Sequence, residues 1–128
     1  MISRTMLSIA VLLTVSPASY GKTLELTRDE PFTGEKIFCV EVTGASVKDD
    51  YPLIFTLSLA DKDVPIRYFF NGRLMKEFTA DHEFKGRQKV PGPGKYAFTF
   101  VTAAKTTIKK FEIQDESADS RAKLDRCT

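Results

Sequence analysis

The sequence predicts an all-β protein, a small antiparallel β-sandwich of about seven to eight short strands. Three observations carry that expectation. Apolar residues recur at every second position from Thr23 to Gln114, the period of a strand with one buried face. Turn-forming residues interrupt the alternation about every 8–12 residues. Within it, Asn71-Gly72 is the strongest two-residue hairpin signal a sequence offers.

Before the alternation begins, residues 1–21 have the layout of a signal peptide. Arg4 supplies a positive start, Met6 to Val15 an apolar run, and Pro17-Ala18-Ser19-Tyr20-Gly21 the small residues of a cleavage site. The run is too short to cross a bilayer, which takes about 20 residues. Residues 22–114 then form the sandwich domain and residues 115–128 a polar tail. The expected location is secreted or in the lumen of the secretory pathway, or the periplasm if the source is bacterial. No membrane span is expected.

Within the domain the elements follow in order. Leu24 and Leu26 open the first strand, and Pro31-Phe32-Thr33-Gly34 turns the chain. Phe38, Val40 and Val42 share one face of the next strand, with Ile37 and Cys39 on the other. Leu53, Phe55, Leu57 and Leu59 form the cleanest one-sided strand, and Ala60-Asp61-Lys62-Asp63 reads as a loop. Ile66, Tyr68 and Phe70 alternate with Arg67 and Phe69, and Leu74 to Phe78 returns from the Asn71-Gly72 hairpin. His82 to Lys85 is a weaker strand. Pro91, Gly92, Pro93 and Gly94 cannot continue a ladder and set a firm turn. Tyr96, Phe98 and Phe100 then enter the core, the Tyr96 hydroxyl requiring a partner near that turn. Ile108 to Ile113 closes the domain with Phe111 and Ile113 inward. Residues 115–128 are short of apolar residues, with only Ala118, Ala122 and Leu124 near helical spacing, and read as a frayed helix or a disordered end.

Charge narrows the function. The chain carries 19 Lys+Arg against 17 Asp+Glu, a net +2, and losing Arg4 would leave about +1. That balance gives no electrostatic reason to expect nucleic acid or acidic lipid. Two cysteines in an exported domain favour a disulfide, here Cys39–Cys127. Because Cys127 is the penultimate residue, an intermolecular bridge or a free thiol stays open, so the protein is expected as a monomer or a disulfide-linked dimer.

No reaction centre emerges. In Asp81-His82-Glu83 a strand would point both carboxylates away from the imidazole. One histidine and two distant cysteines lack zinc spacing, and the acidic pairs Asp61-x-Asp63 and Asp115-Glu116 lack the ligand pattern of a calcium loop. No serine lies in a Gly-x-Ser-x-Gly turn, and the prolines at 91 and 93 remove the amides a phosphate loop needs. No metal, no cofactor and no enzyme activity is expected. Two features point to contact with another protein instead. Lys85, Arg87 and Lys89 make a basic stretch suited to an acidic partner. Phe69 falls opposite Tyr68 and Phe70, either covered in a central strand or exposed for binding.

The order "LELT", "GEKIFCVEV", "PLIFTLSL", "VPIRYFFNGRLM", "GKYAFTF" and "KKFEI" resembles the GOLD (Golgi-dynamics) domain, the lumenal β-sandwich of cargo receptors in the early secretory pathway. The resemblance runs from Leu24 to Ile113. It implies a sandwich fold and a soluble lumenal adaptor that binds protein. The family pairs the cysteine matched by Cys39 with one on the tyrosine strand, where this chain has Thr99. The coiled coil, membrane span and sorting tail of those receptors have no counterpart. An immunoglobulin-like sandwich is the competing match, since "GEKIFCVEVTG" and "PGKYAFTF" imitate two of its strands without its tryptophan. The sequence thus predicts an exported, non-catalytic protein-binding domain. The alternatives are a secreted effector or inhibitor of a foreign protein, or a sandwich that binds a small molecule or glycan.

Overall fold

The alternation from Thr23 onward is realised as four long strands and one short one: β1 (Thr23–Thr43), β2 (Tyr51–Phe70), β3 (Arg73–Val90), β4 (Gly94–Asp115) and β5 (Lys123–Arg126). They form one antiparallel sheet in the order β3-β2-β4-β1-β5. The computed structural model describes residues 23–117 and 121–127, and these include no helix. The signal-peptide reading of residues 1–21 lies outside the described residues.

The strand count corrects the expectation of seven to eight. The short strands expected from the sequence are the two lengths of each of β1 to β4, joined through bends rather than loops. Single residues in the left-handed region make three of these bends: Asp29 (φ 52°) and Gly34 (φ 76°) in β1, Asp63 (φ 57°) in β2 and His82 (φ 66°) in β3. Aspartate and histidine enter that region at lower cost than most side chains. In β4 the bend is a bulge that sets residues 103–105 against residue 33 alone, between the pairs Phe32↔Thr106 and Gly34↔Thr102. The Thr106 hydroxyl donates to Asp61 Oδ2 (2.8 Å), linking the bends of β4 and β2.

The bend in β2 also resets the side-chain phase. In β2 the buried residues are Leu53, Phe55, Leu57 and Leu59 before the bend, then Val64, Ile66 and Tyr68 after it. One slipped residue switches the inward parity from odd to even, so the same side of the sheet stays inside. Rings from the two lengths then meet. The Phe55 centroid lies 4.8 Å from Tyr68, 5.8 Å from Phe98 and 6.0 Å from Phe100, and Phe38 lies 4.8 Å from Phe111. Tyr96 is buried with Leu53, Phe55, Leu57, Phe98 and Phe100. Gly86 allows the closest approach, because a Cβ there would overlap the Phe55 ring.

Two turns behave as their residues dictate. Asn71 (φ 50°) and Gly72 (φ 81°) make a two-residue hairpin between β2 and β3. Asn71 N donates to the Ala97 carbonyl (2.9 Å), and Asn71 Oδ1 accepts from Ala97 N (2.8 Å), stitching the hairpin to β4. The Tyr96 hydroxyl donates to the Gly92 carbonyl inside the proline-glycine turn.

The tail is the second correction. Lys123–Arg126, read as frayed helix or disorder, pairs antiparallel with Val40–Thr43 of β1. Cys39 and Cys127 are bridged, with Cα atoms 5.3 Å apart, and Cys127 N donates to the Cys39 carbonyl (3.2 Å). Neither cysteine is free: both sulfurs are used within one chain. Arg126 reaches back across β1, Nη1 and Nη2 donating to the carbonyls of Leu26 (2.7 Å) and Glu25 (2.8 Å). At the other end of the tail, Asp115 is fully buried. Its carboxylate accepts from the Tyr51 hydroxyl at both oxygens (2.9 Å), from Ser117 N (2.8 Å) and from Ala122 N (2.9 Å). Burial first, and then the hydrogen bond and charge of Asp115, hold the Tyr51 hydroxyl above the ordinary tyrosine range.

Candidate functional site

The outer face of the sheet beyond the bends carries a row of four residues, three of them apolar, that crosses four strands. Its members are register partners in turn: Ile37 with Thr99, Thr99 with Phe69, and Phe69 with Leu74. Partners directly opposite in a ladder share a face with their side chains in contact range, so β1, β4, β2 and β3 each contribute one position. Ile37 is 59% exposed and Leu74 is 47% exposed. Phe69 is half-buried. Thr99 is buried between the two register partners that flank it.

A second row runs beside the first. Glu35 pairs with Val101, Val101 with Arg67, and Arg67 with Glu77. The Arg67 guanidinium lies over the Phe69 ring, 5.8 Å from its centroid, a cation–π arrangement that joins the rows. Between them lies an open groove of about 580 Å³ whose lining includes Ile37, Phe69, Ala97, Thr99 and Val101 together with Glu35 and Arg67. Chemically this surface offers aliphatic and aromatic area beside one carboxylate, Glu35, and one guanidinium, Arg67.

Of the residues singled out in the sequence, Phe69 belongs to this surface and Lys85, Arg87 and Lys89 do not. Those three lie on the other length of β3, opposite Thr56, Ile54 and Pro52 of β2. Arg87 bonds Glu116 through Nε (2.7 Å). Close to that stretch the inner face opens at the edge of β3. Phe55, Tyr68, Met75, Lys76, Phe84 and Gly86 contribute to the lining of a cleft of about 360 Å³. The Tyr68 hydroxyl donates to Gln88 Oε1 (2.8 Å), and burial pushes its pKa up. Lys76 Nζ sits 5.7 Å from the Phe84 centroid.

Sequence reasoning missed Ile37 and Leu74 as partners of Phe69. Ile37 lies on the face opposite Val40, as the alternation predicts, but nothing in the sequence gives the register that aligns strands so far apart.

No protein-family model and no curated protein sequence matches the chain. Among solved structures, the fold is similar to part of a family two carbohydrate esterase from Clostridium thermocellum in complex with cellohexaose. The TM-score is 0.46 and the identity 9%, over 84% of this chain and 34% of that one. It is also similar to part of a family two carbohydrate esterase from Cellvibrio japonicus (TM-score 0.40, 8% identity, 74% and 33% of the two chains). A third match is the EclA C-terminal domain, a sugar-binding protein (TM-score 0.37, 16% identity, 91% and 83%). The chain spans about a third of the length of the esterase chains it matches. At these identities and TM-scores the matches bear on neither activity nor ligand.

Proposed function

We propose that the protein is an exported, non-catalytic β domain that binds another protein through the outer face of its sheet. The single observation that carries this reading is the row Ile37–Thr99–Phe69–Leu74, in register across four strands, with Ile37 and Leu74 exposed at its ends and Phe69 half-buried between them. Scattered exposed apolar residues need no explanation, but apolar side chains aligned in register with charges beside them fit a contact surface. The Cys39–Cys127 disulfide suits an oxidising compartment, which supports export. Among the described residues no helix is long and apolar enough to cross a membrane. On this reading the two lengths of the bent sheet act as the layers of a sandwich. The lumenal adaptor of GOLD type is one form the proposal takes, and a secreted effector or inhibitor is another.

Glycan binding is the second reading, favoured by the carboxylates of Glu35 and Glu77 and the guanidinium of Arg67 beside an aromatic ring. It ranks lower because Arg67 already lies over Phe69, on a face a sugar ring would stack against.

The test pairs two measurements on the oxidised protein. Partners captured from its native medium are compared between wild type and the double variant Ile37→Asp, Leu74→Asp. Melting temperature is followed across a glycan panel that includes cellohexaose. Protein binding predicts a partner retained by wild type and lost by the variant, with unchanged melting temperatures for both proteins alone. A glycan-induced rise in melting temperature that disappears in Phe69→Ala, with no partner lost by the double variant, would replace the first reading with the second.

A further inference from the structure

β3 is a terminal strand, hydrogen-bonded to β2 alone. From Tyr51↔Val90 to Ser58↔Glu83 its pairing runs without a bulge, so the outer main-chain groups of Glu83–Val90 form a regular, straight edge. Such an edge is a template for another strand.

Two sets of side chains flank it. On the outer face Lys85, Arg87 and Lys89 alternate, about 6.6–6.8 Å apart by strand geometry. Their β2 partners Thr56, Ile54 and Pro52 bring no charge. Glu116 engages Arg87, while among the described residues no ion pair engages Lys85 or Lys89. On the inner face Phe84 and Gly86 border the cleft that Met75 and Lys76 help to line. Gly86 contributes no side chain to that border. The edge therefore has a basic side and a partly aromatic, open side, in the alternation a strand would meet.

We propose that this edge accepts an extended segment of a partner protein as a sixth strand, in which acidic residues alternate with apolar ones. Main-chain hydrogen bonds to β3 hold the segment, as in other additions to a sheet edge. Its carboxylates oppose Lys85, Arg87 and Lys89, and its apolar side chains enter the cleft beside Phe84. Charge decides the occupant. A second copy of β3 would set lysine against lysine, and like charges directly opposite are unfavourable. The residues that keep the edge from pairing with itself thus select an acidic strand. This edge shares no residue with the Ile37–Leu74 row, so either surface can fail its test without the other.

The test uses the oxidised protein and a labelled nonapeptide of alternating glutamate and valine, followed by fluorescence anisotropy. Controls are a peptide of the same composition with its residues in blocks, an N-methylated peptide unable to pair along one side, and a sulfated oligosaccharide. The proposal predicts binding of the alternating peptide in preference to the block peptide and loss of binding on N-methylation. The double variant Lys85→Glu, Lys89→Glu should weaken it about tenfold or more, from the loss of two cross-strand charge pairs. Ile37→Asp with Leu74→Asp should leave it unchanged. Equal binding of the block or N-methylated peptide would overturn strand addition and leave diffuse charge attraction. Binding of the sulfated oligosaccharide with none of the peptide would overturn it in favour of an anionic glycan.

Discussion

The two edges of the sheet are treated in opposite ways. On the β1 side the C-terminal residues cover part of the edge in three ways: β5 pairs with Val40–Thr43, the disulfide ties Cys127 to Cys39, and Arg126 takes the carbonyls of Glu25 and Leu26. On the β3 side nothing among the described residues pairs with the outer main chain, and lysines stand along it. An uncovered edge invites pairing with another chain, and proteins blunt it by covering or by charge. This chain uses covering at the Val40–Thr43 end of one edge and charge at the other. The difference teaches that a polar C-terminal segment can have a specific structural task, and that the remaining edge is left chemically selective rather than closed.

Mutations separate the two edges by size of effect. Cys127→Ser removes a cross-link with a sequence separation of 88, worth about 4–5 kcal/mol on the chain-entropy model. Urea denaturation under oxidising conditions should show that loss, and reductant should erase most of the difference from wild type. Asp115→Ala comes next. It leaves the buried Tyr51 hydroxyl and the Ser117 and Ala122 amides without their acceptor, at a cost of about 2–4 kcal/mol, read from the same denaturation. Arg126→Ala removes two bonds to carbonyls on a more exposed part of the edge and should cost about 1 kcal/mol. Lys85→Glu with Lys89→Glu, at the open edge, should change stability by no more than about 0.5 kcal/mol. A loss at the lysines as large as that at Asp115 would break the comparison, because it would mean the β3 edge is already engaged.

The alkaline limb sharpens it further. The Tyr51 hydroxyl has a raised pKa in the folded state. The stability it adds is therefore fully present below the unfolded value of about 10 and is lost as pH rises through the folded value. Stability should decline from about pH 10 upward. Tyr51→Phe should remove part of that decline, leaving the share due to Tyr68, which is also raised.

Much of the core was legible from alternation alone. Leu53, Phe55 and Leu57 face inward because every second residue of a half-buried strand does, and Phe98 and Phe100 follow the same rule after Tyr96. The hairpin was legible because Asn71 and Gly72 are the residues that tolerate positive φ twice in succession. The bends were not, since Asp61, Lys62 and Asp63 look the same in a loop as in a strand that turns a corner. A lone Asp or His taking a left-handed conformation, as at positions 29, 63 and 82, leaves no mark in the sequence. β5 was missed because Lys123, Leu124, Asp125 and Arg126 have little strand preference; only Cys127 hinted that the tail returns. The outer row was half visible: Phe69 stood out on its own strand, but its alignment with Ile37 and Leu74 depends on register set by the turns and bulges.

Amide hydrogen exchange tests the asymmetry of the edges most directly. In the oxidised protein the account predicts that the outward amides of β1 between Val40 and Thr43 exchange far more slowly than those of β3 between Glu83 and Val90. After reduction of Cys39–Cys127 the β1 amides should accelerate toward the β3 rates while the β3 amides stay as they were. Equally fast exchange at both edges before reduction would contradict the account, because it would mean the C-terminal strand does not seal β1.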